Sequence, residues 1–207
     1  MNPDEELPPL AWRWLSILAV ILLLVIVSGI GLISAGVFDP KPLGSAKVEY
    51  PLNPVDIQGN SQELNWIENQ ISLAMFTVRL TASRLRGEVD VAYGLAIGDK
   101  NDYLVVAVSP LGYYSIWRGS DLASQTENNQ VIESWQTWPH VRTDENDNEI
   151  WIDVQNDRIT SIRINREILW QEPLPIHSRG IGLWVQSFGE PAVIDFQKIE
   201  LFSQQVE

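Results

Sequence analysis

From Trp14 to Phe38 the chain runs for 25 residues without a charge, "WLSILAVILLLVIVSGIGLISAGVF". About 20 apolar residues cross the hydrocarbon core of a bilayer as a helix. Lipid offers the backbone no hydrogen-bond partner, so a run this apolar is almost forced to be helical there. The spacing predicts a transmembrane helix over residues 14–38, with Trp12 and Trp14 at the interface and Asp39–Pro40 ending it. The preceding segment, 1–13, is a short acidic tail with Arg13 as its one basic residue. A cleaved signal peptide wants a positive amino-terminal region and a shorter apolar run, so the segment reads as an uncleaved single-pass anchor. Arg13 on one side and Lys41 and Lys47 on the other leave the positive-inside rule undecided. A short-tailed signal anchor then predicts a carboxy-terminal domain outside the cytoplasm, at the cell membrane. Ser28, Gly31 and Ala35 share one helical face, and small residues let membrane helices approach closely. That face is the expected contact with other membrane protein subunits.

Residues 39–62 carry four prolines and few apolar clusters, and read as a stalk leading into a first edge strand. The domain follows over 63–204. Within it "QELNWIENQI", 62–71, is ambiguous between helix and strand. The later segments alternate with period two and break at turn residues every 8 to 12 positions. "LAMFTVRLTA", "VAYGLAIG", "YLVVAVS", "YYSIWR", "NEIWIDVQ", "RITSIRIN", "REILWQ", "GIGLWVQSF" and "AVIDFQKIELF" are the predicted strands. Such spacing marks an antiparallel sandwich or barrel. "QNDR", 155–158, predicts a tight hairpin in which Asn156 and Asp157 tolerate positive φ. The last strand changes apolar parity at Gln197–Lys198, which predicts a bulge. Tyr103 to Val108 has no polar side chain on either face, so it predicts a central strand covered on both sides.

Several of these stretches are familiar in pattern. "YGLAIGDKNDYLVVAVSPLGYYSIWR", "NEIWIDVQNDRITSIRINREIL", "RGIGLWVQS" and "VIDFQKIEL" resemble bacterial concanavalin A-like jelly-roll domains, related to laminin G modules and glucanases. The 3-keto-disaccharide hydrolase-like group is similar in particular. The likeness covers about residues 73–202 and departs where Asn165-Arg166 replaces the usual Asn-Gly. It implies an all-β, antiparallel jelly-roll β-sandwich preceded by one transmembrane α-helix.

Charge and composition exclude several functions. The chain has 27 acidic and 14 basic residues, a net charge of −13. Phosphate binding needs clustered Lys and Arg, so no nucleic acid is expected. With no cysteine, thiolate metal sites, disulfides and a Cys nucleophile are out. The pair Glu88-Val89-Asp90 is the nearest match to the Glu-x-Asp-x-(x)-Glu strand of glucanases, and its third carboxylate is missing. Asp144, Asn146 and Asn148 have calcium-loop spacing, but Glu149 and Gln155 stand where such a loop needs Gly and Glu. The resemblance alone leaves an irregular calcium site open. His140 and His177 have no nucleophile-and-base arrangement around them, Ser178 being merely adjacent to His177. No catalytic set, metal site or cofactor is therefore expected.

Nine tryptophans remain to be explained. Trp117, Trp135, Trp138, Trp151, Trp170 and Trp184 are the candidates for an aromatic platform. Trp151 and Trp184 oppose the apolar parity of their strands, beside Asp153 and Gln186. Trp117, Trp151, Trp184, Asp153 and Gln186 thus form the expected ligand-binding set, suited to glycans because flat indoles pack on sugar faces. The leading expectation is a non-catalytic, membrane-anchored interaction module serving a membrane complex. An extracytoplasmic carbohydrate-binding module is the second expectation, and a glycoside-active hydrolase the third.

Overall fold

Pro9 opens a helix that runs without interruption to Ser34 (α1, Pro9–Ser34), five residues earlier than the uncharged run suggests. Proline fits the first helical turn because its missing N–H has no intrahelical partner there anyway. The computed structural model describes residues 9–34, 39–68, 70–120 and 130–203. Trp12–Leu32, 21 residues, is long and apolar enough to cross a membrane. At about 1.5 Å per residue it spans roughly 31 Å. Ser28 and Gly31 are exposed on this helix, while Ala35 lies outside the described residues.

A second unit begins at Pro42 and contains all the strands. In chain order these are β1 (Ala46–Pro51), β2 (Val55–Ile57), β3 (Gln62–Glu68), β4 (Met75–Gly87), β5 (Val91–Asp99), β6 (Asp102–Val108) and β7 (Tyr113–Gly119). They continue with β8 (Gln130–Thr137), β9 (Asn148–Gln155), β10 (Arg158–Ile164), β11 (Glu167–Trp170), β12 (Leu174–Pro175), β13 (Gly180–Ser187) and β14 (Ala192–Ser203). One sheet has the order β1-β14-β4-β9-β10-β11, with β2 added to β14 and β12 to β10; the other has the order β3-β13-β5-β6-β7-β8. Every pairing among the described residues is antiparallel. The chain is an antiparallel jelly-roll β-sandwich of two sheets, preceded in sequence by one apolar helix.

The segment read as a stalk is corrected by this topology. β1 and β2 both lie within 39–62 and both pair with β14. The prolines that suggested a linker flank the strands, and Pro51 closes β1 at a sheet edge, where a missing donor is tolerated. Leu43 is already attached: its N–H donates to Thr77 Oγ1 at 2.7 Å, and the Thr77 hydroxyl donates to Asp153 at 2.5 Å. The first part of the ambiguous 62–71 segment, Gln62–Glu68, is β3, an edge strand with Leu64 and Trp66 packed on the outer face of its sheet.

The two sheets enclose one apolar core. Phe76, Val78 and Leu80 from β4 and Ile150, Ile152 and Val154 from β9 meet Leu95, Ile97, Leu104 and Val106 from the opposite sheet. Fully burying one such side chain contributes about 1.5–3 kcal/mol. Tyr103–Val108 is covered on both sides, as its composition requires. Leu104, Val106 and Val108 point into the main core, and Tyr103, Val105 and Ala107 into a second, smaller cluster on the outer face. The hairpin 155–158 has Asn156 at φ 50° and Asp157 at φ 60°, and β14 shifts register between Phe196 and Lys198.

Candidate functional site

The outer face of the six-stranded sheet is shaped by what β5 lacks. Its outward residues are Ala92, Gly94, Ala96 and Gly98, while Val91, Tyr93, Leu95 and Ile97 point into the core. One rung across the sheet reads Leu64, Trp184, Gly94, Ala107, Ser115, and the next reads Gln62, Gln186, Ala92. Small residues at the centre leave a trough, and large rings from the flanking strands lean over it. Trp66 meets Tyr103 edge to face at 6.2 Å, Tyr103 meets Trp117 at 5.8 Å, and Trp117 meets Trp184 at 5.6 Å. Edge-to-face pairs of this kind contribute about 0.5–1.5 kcal/mol each beyond area burial. Together they close half of the trough, leaving Trp117 7% and Trp184 1% exposed. The buried Trp184 Nε1 has no acceptor among the described residues.

The other half stays open. A cleft of about 310 Å³ is lined by Asp90, Ser109, Leu111, Tyr113, Trp135 and Phe188. Its four apolar side chains are between 38% and 46% exposed. Trp135 and Phe188 stand edge to face at 6.2 Å. Backbone contacts hold these groups in place. Pro110 occupies the second position of a four-residue turn closed by Gly112 N–H to Ser109 C=O at 2.9 Å, and that turn delivers Tyr113 to the start of β7. Gly112 needs its φ of +86° here, which a side chain would strain. Phe188 is fixed by its own N–H donating to Asp90 C=O at 3.0 Å. A second recess of about 250 Å³ adjoins the cleft, with walls from β3, β13, β7 and β8. Gln62, Ser115, Ser134 and Gln186 are its polar lining, Trp117, Val131 and Trp184 its apolar lining, and Trp135 belongs to both spaces.

The expected five-residue platform is therefore split. Trp117, Trp184 and Gln186 do come together, around the second recess. Trp151 and Asp153 lie on the outer face of the other sheet. Trp151 is 3% exposed beneath the Arg79 guanidinium, 4.9 Å from its ring, and Arg79 also covers Phe202. Asp153 accepts from Thr77 and from Ser161, both at 2.5 Å. Arg79 in turn pairs with the buried Glu200, which Lys47 and Lys198 also reach. Burial pushes the Glu200 carboxyl up, but the hydrogen bonds from Lys47 and Arg79 outweigh it and hold the group below the usual carboxylate range. This cluster is a closed ionic and aromatic cover. Period-two alternation reveals which face of its own sheet a residue takes, not which sheet the strand joins.

The remaining candidates act within their own loops. Glu88 accepts the N–H groups of Val89 at 2.7 Å and Asp90 at 3.1 Å, and those backbone bonds, Asp90 first, lower its pKa. A catalytic acid needs the opposite shift. Asn148 is buried and bonded to Arg142 N–H and C=O, Asn165 and the Tyr93 hydroxyl, and these hydrogen bonds tie down the 143–150 turn. Burial pushes Tyr93 up to about 12. Among the described residues no group of three or more His, Asp or Glu converges as a metal site. His177 Nδ1 lies 2.5 Å from Asp102, which also pairs with Arg118, and His140 packs against Trp138.

Tyr113, Phe188, Ser109 and Leu111 were not among the expected site residues. Their common signal is position. Asp90 precedes β5, Ser109 and Leu111 sit in the β6–β7 turn, and Phe188 follows β13, so all gather at one end of one sheet.

No family model matches the chain, and no curated protein matches it in sequence. Solved structures do resemble its fold. The carbohydrate-binding module CBM66 from Bacillus subtilis is 14% identical with a TM-score of 0.47, over 76% of this chain and 90% of that one. The galectin LEC-6 of Caenorhabditis elegans is 16% identical with a TM-score of 0.43, over 75% and 94%. The metal-free carbohydrate recognition domain of Emp46p is 9% identical with a TM-score of 0.48, over 70% and 79%. Likeness at this level carries no functional argument, and the functional reading rests on the cleft itself.

Proposed function

We propose that the sandwich is a non-catalytic carbohydrate-binding module, held at a membrane by α1 with the domain outside the cytoplasm. The observation that carries this reading is the open cleft in which Tyr113, Trp135 and Phe188 surround Asp90 and Ser109. Solvent-exposed rings grouped in a concavity mark a binding surface. A sugar ring offers flat C–H faces for the aromatics and hydroxyls for the polar groups. Asp90 can accept two such hydroxyls in charge-assisted bonds, which are shorter and stronger than neutral ones. Asp90 is the one carboxylate among the described lining residues. Glycoside hydrolysis ordinarily uses two carboxylates, about 5–9.5 Å apart across the scissile bond, which supports binding over turnover.

The glycan reading displaces the assembly-subunit reading as the leading one. The latter rests on the small-residue face of α1, the missing catalytic set and the acidic charge, none of which accounts for the open aromatic cleft. The test is binding of the full-length chain, in nanodiscs, to an array of glycans, followed by calorimetry on the hits. Trp135→Ala and Asp90→Asn should each weaken binding at least tenfold with an unchanged unfolding temperature. Failure of the full-length chain to retain any glycan at millimolar concentration would discard the reading.

A further inference from the structure

We propose that the site takes a neutral oligosaccharide of at least two units, one in the cleft and the next in the adjoining recess, with Trp135 between them. This rests on the glycan-binding reading and goes beyond it by fixing the length and charge of the ligand.

Three observations converge. First, the two spaces share a wall. Trp135 lines both, so a chain leaving the cleft past its indole enters the recess directly. The cleft measures about 310 Å³ and the recess about 250 Å³. Each alone sits near or under the roughly 300 Å³ floor of small-molecule sites, and only together do they fall well inside that range.

Second, the linings differ in charge. The cleft holds Asp90, whereas the described lining of the recess is amides, hydroxyls and apolar side chains, with no ionisable group among the described residues. A carboxylate-bearing sugar unit placed there would lose water without gaining a cation, which is unfavourable. Neutral hydroxyls match Gln62, Gln186 and Ser134, since an amide both donates and accepts.

Third, the recess contains an unspent donor. Trp184 is 1% exposed, lines the recess, and its Nε1–H has no acceptor among the described residues. Buried polar atoms are nearly always paired, so an unpaired donor on a ring that lines a recess can be met there by an acceptor oxygen from outside the protein.

The test uses the full-length chain in nanodiscs and neutral homo-oligosaccharides of glucose, galactose, mannose and fructose, one to four units long. Affinity comes from calorimetry and quenching of tryptophan fluorescence. We expect the best-bound sugar to gain at least tenfold from one unit to two. Gln186→Ala should remove that gain. Gln186→Glu should do the same through a charge, which keeps the test alive if the alanine variant folds poorly. A disaccharide whose second unit is a uronate should bind no better than the single unit. Equal affinity for one and two units, an unaffected Gln186→Ala variant, or a gain with the uronate would each overturn the two-unit site while leaving the cleft intact. No binding of any length would instead overturn the glycan reading itself.

Discussion

Trp117 on β7 and Trp184 on β13 meet edge to face, 5.6 Å apart at 73°, although two strands separate them. They can touch because β5 and β6 place Gly94, Ala96 and Ala107 beneath them. The pair is thus a lid of side chains over the strand centre, and the open aromatics lie further along the same face.

Burial separates the roles of two tryptophans on that face. Trp184→Ala removes a fully buried ring and should cost about 3–5 kcal/mol of stability. Trp135→Ala removes a ring that is 40% exposed and should stay within about 0.5 kcal/mol. Thermal or denaturant unfolding of the two variants side by side checks this. Comparable losses would contradict the division of the face into lid and cleft.

Arg166 sits in a conformation that suits glycine. The β10–β11 turn holds Asn165 at φ 52° and Arg166 at φ 74°. Two-residue hairpin turns with both φ values positive favour Asn-Gly. The Arg166 contact with Glu149, at 3.8 Å and on a residue more than half exposed, offsets little of this. Arg166→Gly should raise stability by roughly 0.5–1 kcal/mol, read as a higher denaturation midpoint at unchanged slope.

Acid should loosen the outer cover of the eight-stranded sheet. Glu200 has a folded pKa below its usual 4.5 because Lys47 and Arg79 outweigh the effect of burial. A depressed pKa gives stability that is present above the unfolded value and lost as pH falls through the folded one. Unfolding midpoints measured from pH 6 down to pH 2.5 should therefore fall below about pH 4.5. Glu200→Gln should be less stable at pH 7 and show a flatter acid limb. An acid limb as steep in the variant as in the unaltered chain would refute this assignment.

The helix α1 makes a prediction of a different kind. If it is an uncleaved anchor, the chain stays in the membrane pellet through an alkaline carbonate wash and dissolves only in detergent. Removal of residues 1–34 should release the sandwich to the supernatant. Protease added to intact cells should then degrade the domain of the full-length chain, and a protected domain would reverse the proposed orientation.

Much of the architecture was legible because local rules governed it. Asn156-Asp157 declared their turn, the parity change at Gln197 declared its bulge, and Tyr103–Val108 declared a strand with two covered faces. β8 was not legible. Its register slips twice against β7, between Tyr114 and Ile116 and again before Trp117. "QVIESWQT" consequently shows no period of two, although it carries Trp135. Trp151 misled for another reason. Its outward parity was right, but a cation from β4 covers it, and no pattern within β9 announces Arg79. The cleft draws on ends of five strands, so its members are scattered from Asp90 to Phe188 and meet only once the sheet order is known.

The Leu43–Thr77–Asp153 chain of hydrogen bonds has a mechanical consequence. Tension arriving along the backbone from α1 enters the sandwich at Leu43, before the first rung of β1 against β14. Thr77 belongs to β4, Asp153 to β9, and Ser161, which Asp153 also engages, to β10. Under the proposed function, a pull between anchor and bound glycan would be spread sideways over three neighbouring strands rather than peeling β1 from its edge, as a cleat spreads the strain of a rope.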